Sequence, residues 1–294
     1  MAILIDHETN VIVQGGTGKQ GSFHVKLMKK YGTKIVGLVT PGSRLDSLEE
    51  IPVYNSVSEA IKASRVDATL VFVPPMACKE AVAEAAYNGV KLIVVITEHV
   101  PLHDAIIMKR ISNQKGAMLI GPNTIGVISA GLSKMGVMPA DLYRPGVVGI
   151  VSRSGTLTHE VSSLINESGQ GVSTVVDIGG DMVVGTTFVE IVEMFQQDPA
   201  TKAIGVIGEV GGMKEQDLAS YLKARPGKTV VTYIAGRSAP PEKRMGHAGA
   251  LISGTQATAE AKVRALREAG ATVVDYPDQI PAAFNKLLEK IGTP

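Results

Sequence analysis

The chain has 294 residues and a single cysteine, Cys78, so no disulfide can form within it; such usage suits a reducing compartment. Tryptophan is absent and phenylalanine occurs only five times. Long apolar runs are missing too: the longest, such as 92–96, have strand length and fall far short of a bilayer span. No basic segment followed by a long apolar stretch opens the chain, so no signal peptide is expected. The expected location is cytoplasmic, or the mitochondrial matrix if a transit peptide has been removed. Neither sign of charge dominates, with 29 Lys and Arg against 28 Asp and Glu. Without a basic run or stripe, neither nucleic acid nor a membrane surface is an expected partner. Hydrophobic residues make up 45%, enough for real cores, and 32 glycines favour tight turns beside small-residue packing.

The length suggests two domains of ordinary size. In the first half, apolar runs at 11–13, 35–39, 69–73, 92–96 and 118–120 predict buried strands. Amphipathic stretches at 22–30, 57–63, 79–88 and 104–115 predict helices between them. A turn signal at Tyr143-Arg144-Pro145-Gly146 interrupts the alternation. It then resumes, with strands at 147–151, 171–176, 203–207, 229–233 and 272–274. The matching helices are at 156–168, 187–197, 215–224, 257–269 and 279–291. The reading is α/β: two parallel-sheet domains in tandem, 1–145 and 146–294.

Gly16-Thr17-Gly18-Lys19-Gln20-Gly21 follows the first strand and opens the first helix, the context in which G-x-G-x-x-G cradles a phosphate. Dinucleotide sites usually add a carboxylate about 20 residues on. Here the second strand ends Val39-Thr40-Pro41-Gly42-Ser43, and Asp46 comes late. That weighs against NAD and a dehydrogenase. Coenzyme A fits better, with Lys19 and Arg44 available for its phosphates. Pro74-Pro75, Thr97-Glu98 and Gly121-Pro122-Asn123 follow other strands on the same rim.

The second half carries Ser152-Arg153-Ser154-Gly155-Thr156 between a strand and a helix. It reads either as a well-capped helix or as an anion site. Gly179-Gly180-Asp181 follows another strand, and Gly208-Glu209-Val210-Gly211-Gly212 puts a carboxylate directly after a third. In Met245-Gly246-His247-Ala248-Gly249-Ala250 a histidine stands among small residues and looks displayed rather than packed. His247 is a candidate nucleophile for a phosphoryl group, Glu209 its orienting partner, and Ser154, Gly155 and Thr156 the charge-accepting helix start.

Taken together, these motifs resemble the α subunits of the succinyl-CoA synthetase family, the nucleoside-diphosphate-forming acid–CoA ligases. Residues 13–21, Tyr31-Gly32-Thr33-Lys34, Ile96-Thr97-Glu98, 121–123, 149–160, 178–181, 207–212 and 243–250 carry the resemblance, which runs to about residue 290. It implies a Rossmann-like CoA-binding domain and a flavodoxin-like ligase domain. It also implies reversible acyl-CoA formation from a di- or tricarboxylate through an acyl phosphate and a phosphohistidine at His247. CoA contacts would include Gly15, Thr17, Gly18, Lys19, Gln20, Val39, Ser43, Val73, Pro74, Ile96, Glu98 and Asn123. A β subunit of ATP-grasp fold, in an αβ or α2β2 assembly, would hold ATP or GTP with Mg2+. In keeping with that, no G-x-x-x-x-G-K-[ST] loop is present, and no metal site is expected on this chain.

Three positions depart from the family pattern. Ser43-Arg44-Leu45 replaces Lys-Gly-Gly, Thr124-Ile125 replaces Cys-Pro, and His159 replaces Tyr. His159 and Thr124 are candidate substrate contacts, and malate or citrate stands as an alternative acid. A non-catalytic CoA-binding regulator is the remote alternative.

Overall fold

A computed structural model describes residues 2–240 and 243–290. Within the described residues the chain divides into two compact units, one of residues 4–138 with 183–186, the other of residues 2–3, 139–182 and 187 onward.

The first unit contains β1 (Val11–Gln14), α1 (Lys19–Tyr31), β2 (Ile35–Val39), β3 (Ser47–Leu48), β4 (Ile51–Tyr54), α2 (Val57–Ala63) and β5 (Ala68–Val71). It continues with α3 (Cys78–Tyr87), β6 (Leu92–Val95), α4 (Leu102–Lys115), β7 (Met118–Ile120), β8 (Gly126–Ser129) and β9 (Ser133–Gly136). The sheet order is β3-β4-β2-β1-β5-β6-β7, parallel throughout except for β3 against β4. Counted over its parallel strands this is the Rossmann order 3-2-1-4-5-6. The strands read as unbroken apolar runs because helices cover both faces; β1, β5 and β6 are buried at every position. From β1 the chain moves to β2 on one side and later to β5 on the other. That reversal opens a crevice at the carboxyl ends of β1, β2 and β5.

The second unit contains β10 (Pro145–Ser152), α5 (Gly155–Glu167), β11 (Val172–Asp177), α6 (Phe188–Gln197) and β12 (Ala203–Glu209). It then runs through α7 (Lys214–Ala224), β13 (Thr229–Ala235), α8 (Ala259–Glu268), β14 (Thr272–Val274) and α9 (Ile280–Lys290). Its parallel strands lie in the order β14-β13-β12-β10-β11, the flavodoxin order 2-1-3-4-5. Ser152 of β10 sits level with Asp177 of β11 and Ile207 of β12. Three strand ends are thus brought together at one rim.

The expected α/β class holds, with differences that have local causes. The strands β3, β4, β8 and β9 differ from the expectation because none is an unbroken apolar run: Ser47, Pro52, Ser129, and Ser133 with Lys134, interrupt them. The helix expected over 257–269 starts at Ala259, because Thr258 caps it by accepting the Ala261 N–H and residues 255–257 form a separate 3-10 turn. Thr187 is likewise a cap rather than a helical residue, locked in a capping box with Glu190. The turn signal at 143–146 ends early, since β10 begins at Pro145. The expected end of the last helix, Ile291, lies outside the described residues.

Gly21 fixes how α1 meets β1. A Cβ there would fall 2.2 Å from the Gly15 carbonyl oxygen. Gly21→Ala is therefore expected to lower stability by about 1–3 kcal/mol, read as a lower urea midpoint. An unchanged midpoint would show that the first turn of α1 yields freely.

Candidate functional site

The crevice of the first unit is a cavity of about 860 Å3. Gly15, Thr17, Gly18, Lys19, Gln20, Val39, Val73 and Pro74 all line it, with Thr40, Pro41 and Phe72. Gly15 adopts φ +78, and a Cβ on it would press on the Phe72–Val73 backbone at 3.1–3.2 Å. Glycine here lets one loop lie against the next. The Thr17 hydroxyl donates to Thr40 Oγ1 at 3.0 Å, so Thr40 stands at the tip of β2, where a dinucleotide site would carry a carboxylate. No acidic residue occupies the first turn of α1, which leaves its amide dipole free for a phosphate.

Ser43, Ile96, Glu98 and Asn123 lie outside this lining. The Ser43 hydroxyl accepts the Leu45 N–H at 3.1 Å, Ile96 donates its N–H to Val71, and Asn123 donates its N–H to Thr97. The Glu98 side chain is 65% exposed. Thr124 is buried and accepts the Gly126 N–H at 2.9 Å. Behind the cavity wall, Cys78 is fully buried, its Sγ 3.6 Å from the Pro74 carbonyl, and burial pushes its thiol up to about 11.

In the second unit the rim of β10, β11 and β12 gathers the remaining candidates. Glu209 is the last residue of β12 and is buried, with one carboxylate oxygen 2.8 Å from Nδ1 of His247. His247 lies in a loop pinned by Gly249 N–H donating to the Gly180 carbonyl. Its ring rests directly on Gly180, where a Cβ would sit 2.5 Å from the imidazole Cγ. The side chain is 30% exposed, so it is half packed rather than fully displayed. The hydrogen bond its Nδ1–H donates to Glu209 raises its pKa above the usual 6.5; burial and Arg153 oppose, while Asp177 adds to the rise. Ser154 caps α5 by accepting the Leu157 N–H, and Gly155 and Thr156 begin the helix. The first turn of α5 contains no acidic residue, which suits an anion.

His159 lies further along α5, with Nδ1 2.5 Å from the buried Tyr143 hydroxyl. Burial lowers its pKa below the usual 6.5, which favours the neutral ring.

Sequence reasoning left out a charged cluster beneath the histidine. Arg153 is 1% exposed and its Nη2 lies 3.1 Å from the second Glu209 oxygen. Glu215 and Lys262 are wholly buried and paired with each other. Lys214, beside them, donates to the Asp181 and Met182 carbonyls, and burial pulls its pKa down to about 8. One signal was present: Lys262 falls on the buried face of α8, among Ala259, Ala261, Val263 and Leu266. A cation at an apolar position requires a buried partner.

Two family models match the chain, one described as a CoA binding domain over residues 6–99 and one as CoA-ligase over residues 151–272. That pair of domains defines an acid–CoA ligase of the nucleoside-diphosphate-forming class. The α subunit of ADP-forming succinate–CoA ligase from Aquifex aeolicus is 47% identical over 293 residues, covering 99% of this chain and 96% of that one. The α subunit 2 of the same enzyme from Archaeoglobus fulgidus is 48% identical over 288 residues, covering 98% of this chain and 100% of that one. Among solved structures, ATP citrate lyase from Methanothrix soehngenii in complex with citrate and coenzyme A superposes with a TM-score of 0.90 at 26% identity. It covers 99% of this chain, which spans about half (52%) of that longer one. The chain belongs to the succinate–CoA ligase α-subunit family.

The raised pKa of His247 fixes the sign of one pH effect. The charged His247–Glu209 contact adds stability that is complete below pH 6.5 and fades as pH rises through the higher folded-state value. His247→Ala is expected to lose about 1 kcal/mol relative to the parent at pH 6. The difference should shrink towards pH 9 in urea unfolding; a difference that grew with pH would contradict the assignment.

Proposed function

We propose that this chain is the α subunit of an ADP-forming succinate–CoA ligase in which His247 carries the phosphoryl group. The observation that carries the reading is the 2.8 Å bond between Glu209 and His247 Nδ1, at a rim shared with the α5 start. With Nδ1–H donated to Glu209, the lone pair stands on Nε2, the nitrogen left to act as nucleophile. Its attack on the terminal phosphorus of ATP forms an N–P bond, and ADP leaves with the electrons of the broken P–O bond. A substrate carboxylate oxygen then attacks the same phosphorus, the N–P bond breaks, and an acyl phosphate leaves His247 neutral. The amides at Ser154, Gly155 and Thr156 are suited to hold the travelling charge.

The cavity of the first unit fits coenzyme A, with Gly15, Thr17, Gly18, Lys19 and Gln20 for its phosphates and Val73 and Pro74 as apolar wall. Ser43, Ile96, Glu98 and Asn123 complete the proposed contacts. When bound, coenzyme A supplies the thiol that displaces phosphate from the acyl carbon. Nucleotide and Mg2+ are assigned to a β partner of ATP-grasp fold, in an αβ or α2β2 assembly. The proposed domains are 1–145 for CoA and 146–294 for ligation, in a cytoplasmic enzyme. Succinate is favoured because relatives named for it share 42–48% identity over nearly the whole chain, against 26% for the citrate-bound neighbour. His159 and Thr124 are proposed to contact the acid.

Incubating the α–β complex with terminally labelled ATP and Mg2+, without acid or CoA, is expected to place acid-labile, base-stable label on this chain. His247→Asn should abolish it. An unlabelled parent chain in an assembled complex would transfer the reading to a CoA-binding regulator. Among acids, succinate should exceed malate and citrate in kcat/KM by at least about tenfold, ~1.4 kcal/mol. Preference for citrate or malate would reassign the substrate and leave the histidine chemistry in place.

A further inference from the structure

Glu215 does not touch the histidine, yet it holds Glu209 from several sides. It is the second residue of α7, and a Cβ on Gly208 would fall 2.8 Å from its Cγ and Oε1, so its carboxylate is tucked against β12. Oε1 accepts the Glu209 backbone N–H at 3.2 Å and lies 3.4 Å from Arg153 Nη1. Oε2 pairs with the Lys262 ammonium. Lys262 in turn donates to the Glu209 carbonyl at 2.8 Å and the Gly211 carbonyl at 2.6 Å. Both backbone polar groups of Glu209 are therefore tied to Glu215, one directly and one through Lys262.

The charges add a second constraint. Arg153 and Lys262 supply two positive charges, and Glu209 and Glu215 two negative ones, all in surroundings with almost no water. Arg153 is shared: Nη2 faces Glu209 and Nη1 faces Glu215. A charge this deeply buried persists only when paired. If Glu215 lost its charge, Arg153 would be left with Glu209 alone, and Glu209 would become a weaker acceptor for the imidazole.

We infer that Glu215 is a positioning residue of the phosphohistidine site: it fixes the Glu209 backbone and shares Arg153, leaving the Glu209 carboxylate placed to accept from His247 Nδ1. The inference rests on the proposed function for its catalytic meaning and on geometry alone for its effect on the imidazole. The groups facing His247 are Glu209 from β12, Asp177 from β11 and Arg153 from the turn before α5. Those bearing on Glu209 also include Lys262 from α8 and Lys214 and Glu215 from α7.

The test is an NMR titration of the His247 ring in the assembled α–β complex, run beside the labelling assay across pH. Glu215→Gln should lower the His247 pKa by about half a unit to one unit. It should slow labelling about tenfold, as expected for an outer partner of a functional histidine, with the acid limb of the profile moving down by the same amount. Lys262→Met removes a positive charge instead and should move the pKa up. A merely structural role predicts that both variants drift together towards the free-histidine value. The two variants also cover for each other if one fails to fold, since each has its own required sign. Values unchanged to within about 0.2 unit, or both falling, would overturn the inference. An unlabelled parent chain would defeat the phosphohistidine reading instead, and the titration would still decide whether Glu215 governs the ring.

Discussion

A carboxylate stripped of most of its water, at the last position of a strand, sets the character of the ring beside it. Glu209 cannot drift, because its N–H, its carbonyl and one oxygen are held by Glu215, Lys262 and Arg153. Its remaining oxygen faces His247 Nδ1 at 2.8 Å. An exposed glutamate paired with an exposed histidine would contribute little and orient less. Burial converts an ordinary pair into a fixed one, and the counter-ions make the burial tolerable. The orientation of the ring and the raised pKa of its imidazole follow from that arrangement.

The two units use the same construction for different purposes. Each has parallel strands that end at a common rim, and each places a helix start there after a tight turn. In the first unit the turn is Gly15–Gly18 and the rim opens into a cavity of about 860 Å3. In the second unit the turn is Ser152–Ser154, and the rim is filled by charged side chains. Strand order decides where each opening falls: beside β1 in the Rossmann arrangement, and around β10 in the flavodoxin arrangement.

Much of this was legible in the residues. Unbroken apolar runs gave the central strands, since buried parallel strands need no alternation. Gly-x-Gly-x-x-Gly in its strand–helix setting located the cavity, and a histidine among glycines marked the second rim. Glu209 stood out as a carboxylate directly after an apolar strand, a place that suits either a solvated turn residue or a partner for a histidine, and the fold puts it beside His247. The strands β3, β4, β8 and β9 escaped because serine, proline or lysine breaks the apolar run that marked strands as short as β7 and β14. The Arg153–Glu215–Lys262 cluster escaped for another reason. Its members lie up to 109 positions apart (262 − 153), and only the fold shows that charges so distant share one dry space. His247 read as fully displayed because no sequence reveals that its ring settles on Gly180.

The only thiol of the chain sits just behind the cavity proposed for a thiol-bearing substrate. Cys78 is sealed beneath Val73 and Pro74, and burial pushes its thiol up to about 11, which favours the protonated, unreactive form. A reactive cysteine at that place would divert acyl groups onto the protein or trap the incoming ligand as a mixed disulfide. Burial removes that rival nucleophile, so the chemistry of sulfur in this crevice is left to the visitor alone.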